Sequence, residues 1–171
     1  NGPESIFAVQ FSGDDGTKFG RVNFADLLPV PMKLGCCDFL KPSQTLVNAF
    51  RTQNGLPVFE NYNTNNSGYS EQNDPRLFHT VALPGLAYKY NESLIYDVDW
   101  NRNPGTYGVY ASLKENVDPT CDCFVPMVPF YANTKNRIVI RYADLLLMKA
   151  EALIELHRAA EALPIINSIR N

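Results

Sequence analysis

Residues 136–158 read NRIVIRYADLLLMKAEALIELHR, and this stretch decides the architecture. From Arg141 onward the spacing predicts a helix over 141–158. Asp144, Glu151, Glu155 and Arg158 share one narrow polar stripe, while Tyr142, Leu146, Ala150, Leu153 and Ile154 belong to an apolar surface around most of the girth. A helix so apolar must be covered on several sides. A second helix is expected from about Ala159, with Ala159, Ala162, Leu163, Ile166 and Ile169 at helical spacing and Pro164 near its first turn, where a missing N–H costs little. The two helices form an αα-hairpin of tetratricopeptide length, in which Ala143, Ala150, Ala159 and Ala162 permit close packing. One such unit cannot bury its own faces, so the sequence implies further helices outside it.

Upstream of about residue 136 the composition changes. All 10 Gly precede residue 109 and 11 of the 12 Pro precede residue 130, so the first part is loop-rich and everything downstream is expected to be helical. Residues 5–11 form a β-rich apolar run ended by Ser12-Gly13-Asp14-Asp15-Gly16. Short helices are expected at 23–28 and, capped by Ser43, at 43–52, with Asn54-Gly55 as its left-handed stop. Residues 61–73 read as an exposed Asn-rich loop, 76–83 as a strand turned by Pro84-Gly85, and 88–135 as irregular structure with short strands. The fold is therefore expected to be mainly α, with helices at about 43–53, 141–157 and 160–170. Two regions are expected, 1–136 irregular and ligand-binding and 137–171 a tetratricopeptide-like hairpin, within one structural domain incomplete at both ends.

The 171 residues are 45% hydrophobic and 19% charged, a globular composition. A formal charge of -3 and a pI near 5.3 argue against nucleic acid as a partner, which needs a basic face. No apolar stretch approaches the ~20 residues that span a bilayer as a helix.

The run 136–148, continuing through Ala150-Glu151-Ala152-Leu153, resembles the signature helix of the SusD/RagB family. Glu161-Ala162-Leu163, Ile166-Asn167 and Ile169-Arg170 resemble the helix that follows it. Residues 5–11, 46–57 (LVNAFRTQNGLP) and 74–85 (DPRLFHTVALPG) are similar to segments of the same family. The resemblance implies a SusD-like fold, tetratricopeptide-like helices carrying an irregular ligand-binding region. It implies a Gram-negative outer-membrane lipoprotein, exposed at the cell surface. Such a protein captures an oligosaccharide or polysaccharide, or a peptide in some branches, and delivers it to a TonB-dependent transporter. On this reading the chain is a piece of a longer protein. The lipidated Cys that anchors it to the membrane, earlier helices and a helical tail lie outside the sequence.

Five of the nine Tyr (88, 90, 96, 107, 110) and the single Trp100 fall between residues 88 and 110. Flat aromatics offer a stacking surface to the C–H faces of sugar rings, and amides and guanidinium groups bind hydroxyls. The candidate ligand-binding residues are Trp100, Tyr96, Tyr107, Tyr88, Asn101 and Arg102, with Trp100 expected to expose much of its ring. The alternative is that these aromatics anchor an irregular region. Asp97 and Asp99 are two apart, a spacing that suits solvated loop acids better than the opposed carboxylates of a glycoside hydrolase or a cation site. No nucleophile elbow, phosphate-binding loop or cofactor motif occurs, so no cofactor and no enzymatic activity are expected. Cys36-Cys37 and Cys121-x-Cys123 lack the spacing of a structural zinc site, so no metal is expected; a disulfide between the pairs and buried free thiols both fit. Two rival functions stand beside glycan capture: a tetratricopeptide-like protein-interaction module, and a carbohydrate-active enzyme using Asp97 or Asp99.

Overall fold

A computed structural model describes residues 2–13, 16, 22–23, 28–60, 72–125 and 132–170. The expected helix at 23–28, the loop at 61–73 and the turn at Asp14-Asp15-Gly16 fall wholly or largely outside these residues. The chain divides into two compact units, Asn1–Ser12 with Lys135–Asn171, and Gly13–Thr134.

In the first unit, strand β1 (Ser5–Val9) pairs antiparallel with β10 (Arg137–Arg141). The pairing corrects the reading of everything beyond residue 136 as helical: Ile138, Val139 and Ile140 are β-branched and take an extended partner before the helix begins. Helix α3 (Tyr142–Glu155) starts where the Asp144 carboxylate accepts the Arg141 backbone N–H at 2.9 Å. It ends in a Schellman motif. The Arg158 N–H donates to the Leu153 carbonyl at 2.8 Å and the His157 N–H to the Ile154 carbonyl at 2.9 Å, with His157 left-handed at φ 58°. Helix α4 (Ala159–Arg170) packs back on α3 through Ala150, Leu153 and Ala162, flanked by Ile165 and Ile166. Two of the four alanines expected at the seam, Ala150 and Ala162, are buried there; Ala159 is exposed. Pro164 lies inside α4 rather than in its first turn. Leu145, Leu147 and Met148 of α3 remain exposed.

The second unit is built from short pieces. Helix α1 (Gln44–Ala49) begins as expected, with Ser43 Oγ accepting the Leu46 N–H at 3.1 Å. It stops earlier than predicted, because Asn54 (φ 52°) and Gly55 (φ 77°) form the two-residue turn between β2 (Thr52–Gln53) and β3 (Leu56–Pro57). The strand expected at 76–83 is a 3-10 helix, Pro75–His79, followed by β4 (Val81–Ala82). Asp74 accepts the Arg76 N–H at 2.9 Å and Pro75 presets the first turn, so local capping overrides β-propensity. Strand β4 pairs with β7 (Ala111–Ser112), β5 (Ala87–Tyr88) with β6 (Asn91–Ile95), and β8 (Phe124–Val125) with β9 (Ala132–Asn133); helix α2 (Pro104–Tyr107) precedes β7.

A third of the described residues are helical (33%, counting 3-10 turns) and 23% lie in strands or bridges, so the expected mainly-α class is not what the chain adopts. Repeated Pro, Gly and Asn cut the second unit into segments too short for long helices, and among the described residues every one of its sheets has two strands. Among the described residues its core holds three clusters: Tyr88, Tyr96 and Trp100 with Ala82 and Ala111; Val47, Leu77, Val81, Leu83 and Tyr110; and Val30, Cys36 and Val117.

Candidate functional site

One wall of a pocket in the second unit comes from the run Cys36-Cys37-Asp38-Phe39-Leu40-Lys41. The Cys37 and Asp38 N–H groups both donate to the Val30 carbonyl, at 3.1 and 2.9 Å, and the Phe39 N–H donates to the Leu28 carbonyl at 2.8 Å. Asp38 (φ 57°) and Leu40 (φ 54°) are both left-handed, a conformation costly for a residue with a side chain. The double reversal turns the Asp38 carboxylate inward and leaves Phe39 52% and Leu40 72% exposed. A buried carboxylate needs a partner. Lys41 supplies it: its Nζ lies 2.9 Å from Asp38 Oδ1 and 3.1 Å from Oδ2, with side-chain exposures of 10% for Lys41 and 1% for Asp38.

The second wall is residues 96–108. Asp97 Oδ1 accepts the Asp99 N–H at 2.9 Å and caps the 3-10 turn Val98–Trp100. The chain then passes under the first wall, where the Arg102 N–H donates to Asp38 Oδ2 at 2.6 Å. Asn101 is buried beside it. Its Oδ1 accepts from Lys41 Nζ and lies 2.8 Å from the Tyr96 hydroxyl, and its Nδ2 donates to the Val98 carbonyl at 2.8 Å. Lys41 therefore meets three acceptor oxygens, one for each ammonium proton. Burial pushes the Lys41 ammonium below its ordinary value while Asp38 pulls it back up. Burial, above all, pushes the Tyr96 phenol upward, so it remains a neutral donor.

Above this base, Asp38, Phe39, Leu40, Lys41, Arg102 and Tyr107 enclose about 270 Å³. The Arg102 guanidinium lies 5.3 Å from the Phe39 ring centroid, and its Nη2 is 3.7 Å from Met32 Sδ. Tyr107, last in α2, is 57% exposed. The pocket thus has two exposed rings, a guanidinium, and a floor locked by a buried ion pair.

The six residues singled out in the sequence fall into three pairs. Arg102 and Tyr107 line the pocket, and Asn101 and Tyr96 brace it from behind. Trp100 is only 6% exposed, against the expectation of an open indole. Its ring stands 5.5 Å from Tyr96 in an edge-on contact (77°) and 5.5 Å from Tyr88, tilted at 54°. Leu34 and Leu94 pack against the same cluster, and the Tyr88 hydroxyl accepts Asn116 Nδ2 at 2.7 Å. Trp100 and Tyr88 are covered by protein and present no free face. Sequence reading missed Phe39 and Leu40. Their signal was two bulky apolar residues set between Asp38 and Lys41 and followed by Pro42, a pattern with no period.

Asp97 is engaged as a cap, and neither it nor Asp99 lines the pocket. The structure pairs Cys121 with Cys123, within that pair rather than across to Cys36 or Cys37. Among the described residues no group of three His, Cys, Asp or Glu is placed to hold a metal, and no helix is long and apolar enough to cross a membrane.

The chain is similar to SusD-like protein P38 of Formosa agariphila, with 25% identity over 177 residues. The match takes in 99% of this chain and 30% of that relative, so the chain spans less than a third of the relative's length. The sequence pattern of the SusD family matches residues 3–171, virtually the whole chain, and the chain belongs to that family.

Proposed function

We propose that this chain carries a glycan-capture surface centred on Phe39, Arg102 and Tyr107. The protein of which it forms part would deliver oligosaccharides to a TonB-dependent transporter at the outer-membrane surface, held there by a lipid anchor outside this chain. Membership of the SusD family supports uptake-linked glycan binding. The observation that carries the site is the pairing of exposed rings with a rigid polar floor: Phe39 and Tyr107 are more than half exposed over the buried Asp38–Lys41–Asn101 network. Leaving such rings open forgoes hydrophobic burial of order 2 kcal/mol each, and a stacked sugar face recovers part of it. A pre-formed floor removes the ordering cost that a mobile loop would add on binding. The reading is of binding without turnover. The Asp97–Asp99 pair sits outside the pocket, and its geometry is that of a capped turn.

The test is calorimetry of the full-length protein against an oligosaccharide panel, comparing wild type with Tyr107→Ala and Phe39→Ala. Both side chains are exposed, so the variants should keep the wild-type melting temperature within a few degrees and lose tenfold or more in affinity. Affinities unchanged in both would remove the pocket from the site. Retention of peptides in place of glycans would favour the peptide-binding branch of the family.

A further inference from the structure

We infer that the pocket selects anionic glycans, sugars bearing a carboxylate or a sulfate, through Arg102; the inference rests on the glycan reading above. Its ground is the charge balance of the lining. Three of the six lining residues carry ionisable side chains: Asp38, Lys41 and Arg102. The first two cancel, since both Asp38 oxygens contact Lys41 Nζ and the pair is almost wholly buried. The Asp38 carboxylate also accepts the Arg102 peptide N–H, which further commits its lone pairs. It faces the Arg102 backbone, and no ion pair joins it to the guanidinium.

Arg102 forms no ion pair among the described residues. Its neighbours are the Phe39 ring and Met32 Sδ, and neither neutralises a charge. Both contacts favour one orientation of an exposed planar group, which lowers the entropy lost when it engages a ligand. The wall therefore carries one net positive charge on an oriented fork with N–H groups to spare. A neutral sugar would take hydrogen bonds from that fork and leave the charge uncompensated. A carboxylate or sulfate accepts a bidentate, charge-assisted pair. The Tyr107 and Phe39 rings beside it supply the apolar faces on which the same sugar unit can rest. The chain's formal charge of -3 supplies no general attraction for polyanions, so within this chain the preference is local to the pocket.

The experiment titrates the full-length protein with two matched pairs: oligogalacturonate against its methyl ester, and a sulfated galactan oligosaccharide against its desulfated form. The acidic member of at least one pair should bind on the order of tenfold tighter, about 1.4 kcal/mol, and the advantage should shrink as salt is raised. Which pair shows the difference tells carboxylate from sulfate. Arg102→Gln should abolish the preference, bringing the acidic member down to the affinity of its neutral partner measured in the same variant. Arg102→Lys should retain part of it. Equal affinity within both pairs overturns the charge inference and leaves glycan binding standing. A preference that survives Arg102→Gln overturns the assignment to Arg102. Absence of binding by every member of this and the wider panel overturns the glycan reading and the inference with it.

Discussion

The Asp38 carboxylate has 1% of its side chain exposed, so it depends on its partners rather than on water. Removing one member of a buried pair strands the other. Asp38→Ala should therefore cost about 3–5 kcal/mol, read as a lower denaturation midpoint in urea. The double variant Asp38→Ala/Lys41→Met should recover much of that loss, and a double variant no better than the single one would show that the pair is incidental. Trp100 makes the complementary case from apolar packing. With Tyr88 and Tyr96 against its ring, Trp100→Ala should cost about 3–5 kcal/mol, with any change in binding following from unfolding. At this scale the sequence showed that aromatics crowd between 88 and 110, but not which rings point inward. Tyr96 and Trp100 flank a capped 3-10 turn, which sends both to one side, and no helical or strand period encodes that. Arg102 and Tyr107 were legible as polar and aromatic partners of that cluster. Phe39 was not, because its exposure depends on two left-handed residues that carry no glycine to announce them.

Elements were legible where their signals are local. The α3–α4 hairpin, the Ser43 cap and the strand at 5–9 follow from periodicity and capping chemistry. The strand Arg137–Arg141 was missed because its partner lies at the other end of the sequence, and pairing over that distance leaves no local trace. The 3-10 helix at Pro75–His79 was missed although Asp74-Pro75 is a helix-start signal, since the run of Leu77, Phe78 and Val81 reads equally as a strand. That cap has a consequence for pH. The side-chain and backbone hydrogen bonds from Arg76 hold the Asp74 carboxyl at about 2, against an ordinary 3.8. A depressed carboxyl stabilises the fold above its ordinary value and loses that contribution as pH falls from about 4 through about 2. Asp74→Asn should flatten the dependence of melting temperature on pH in that window, by a small amount because the pair is exposed. An unchanged slope would assign acid sensitivity to other carboxyls. At the end of α3, His157 occupies the left-handed position of the Schellman motif, where glycine is the unstrained choice. His157→Gly should raise stability by ~0.5–1 kcal/mol, seen as a higher melting temperature, and a decrease would reveal a contact made by the imidazole.

Across the whole chain, the mainly-α expectation failed because a helical signature of high information content lies beside a longer region whose short strands and turns carry little. The cysteines show how such a region is held. Cys36, Cys37, Cys121 and Cys123 gather around Val30 and Val117, so segments far apart in sequence meet in one cluster. The structure nevertheless pairs Cys121 with its near neighbour Cys123. A bridge between adjacent or next-but-one residues closes almost no loop, and in the chain-entropy account it stabilises by only about 1–2 kcal/mol. A bridge from residue 36 or 37 to 121 or 123 would contribute about 4–5 kcal/mol on the same account. The cluster is thus held chiefly by packing of the half-buried sulfurs and Phe124 against Val30 and Val117. Reduction should lower the melting temperature by only a few degrees. Peptide mapping without reductant should recover the 36–37 and 121–123 segments as separate species. A cross-linked pair of peptides, together with a large loss of stability on reduction, would show that the bridges run between the segments and that a covalent tie, rather than packing, joins this part of the fold.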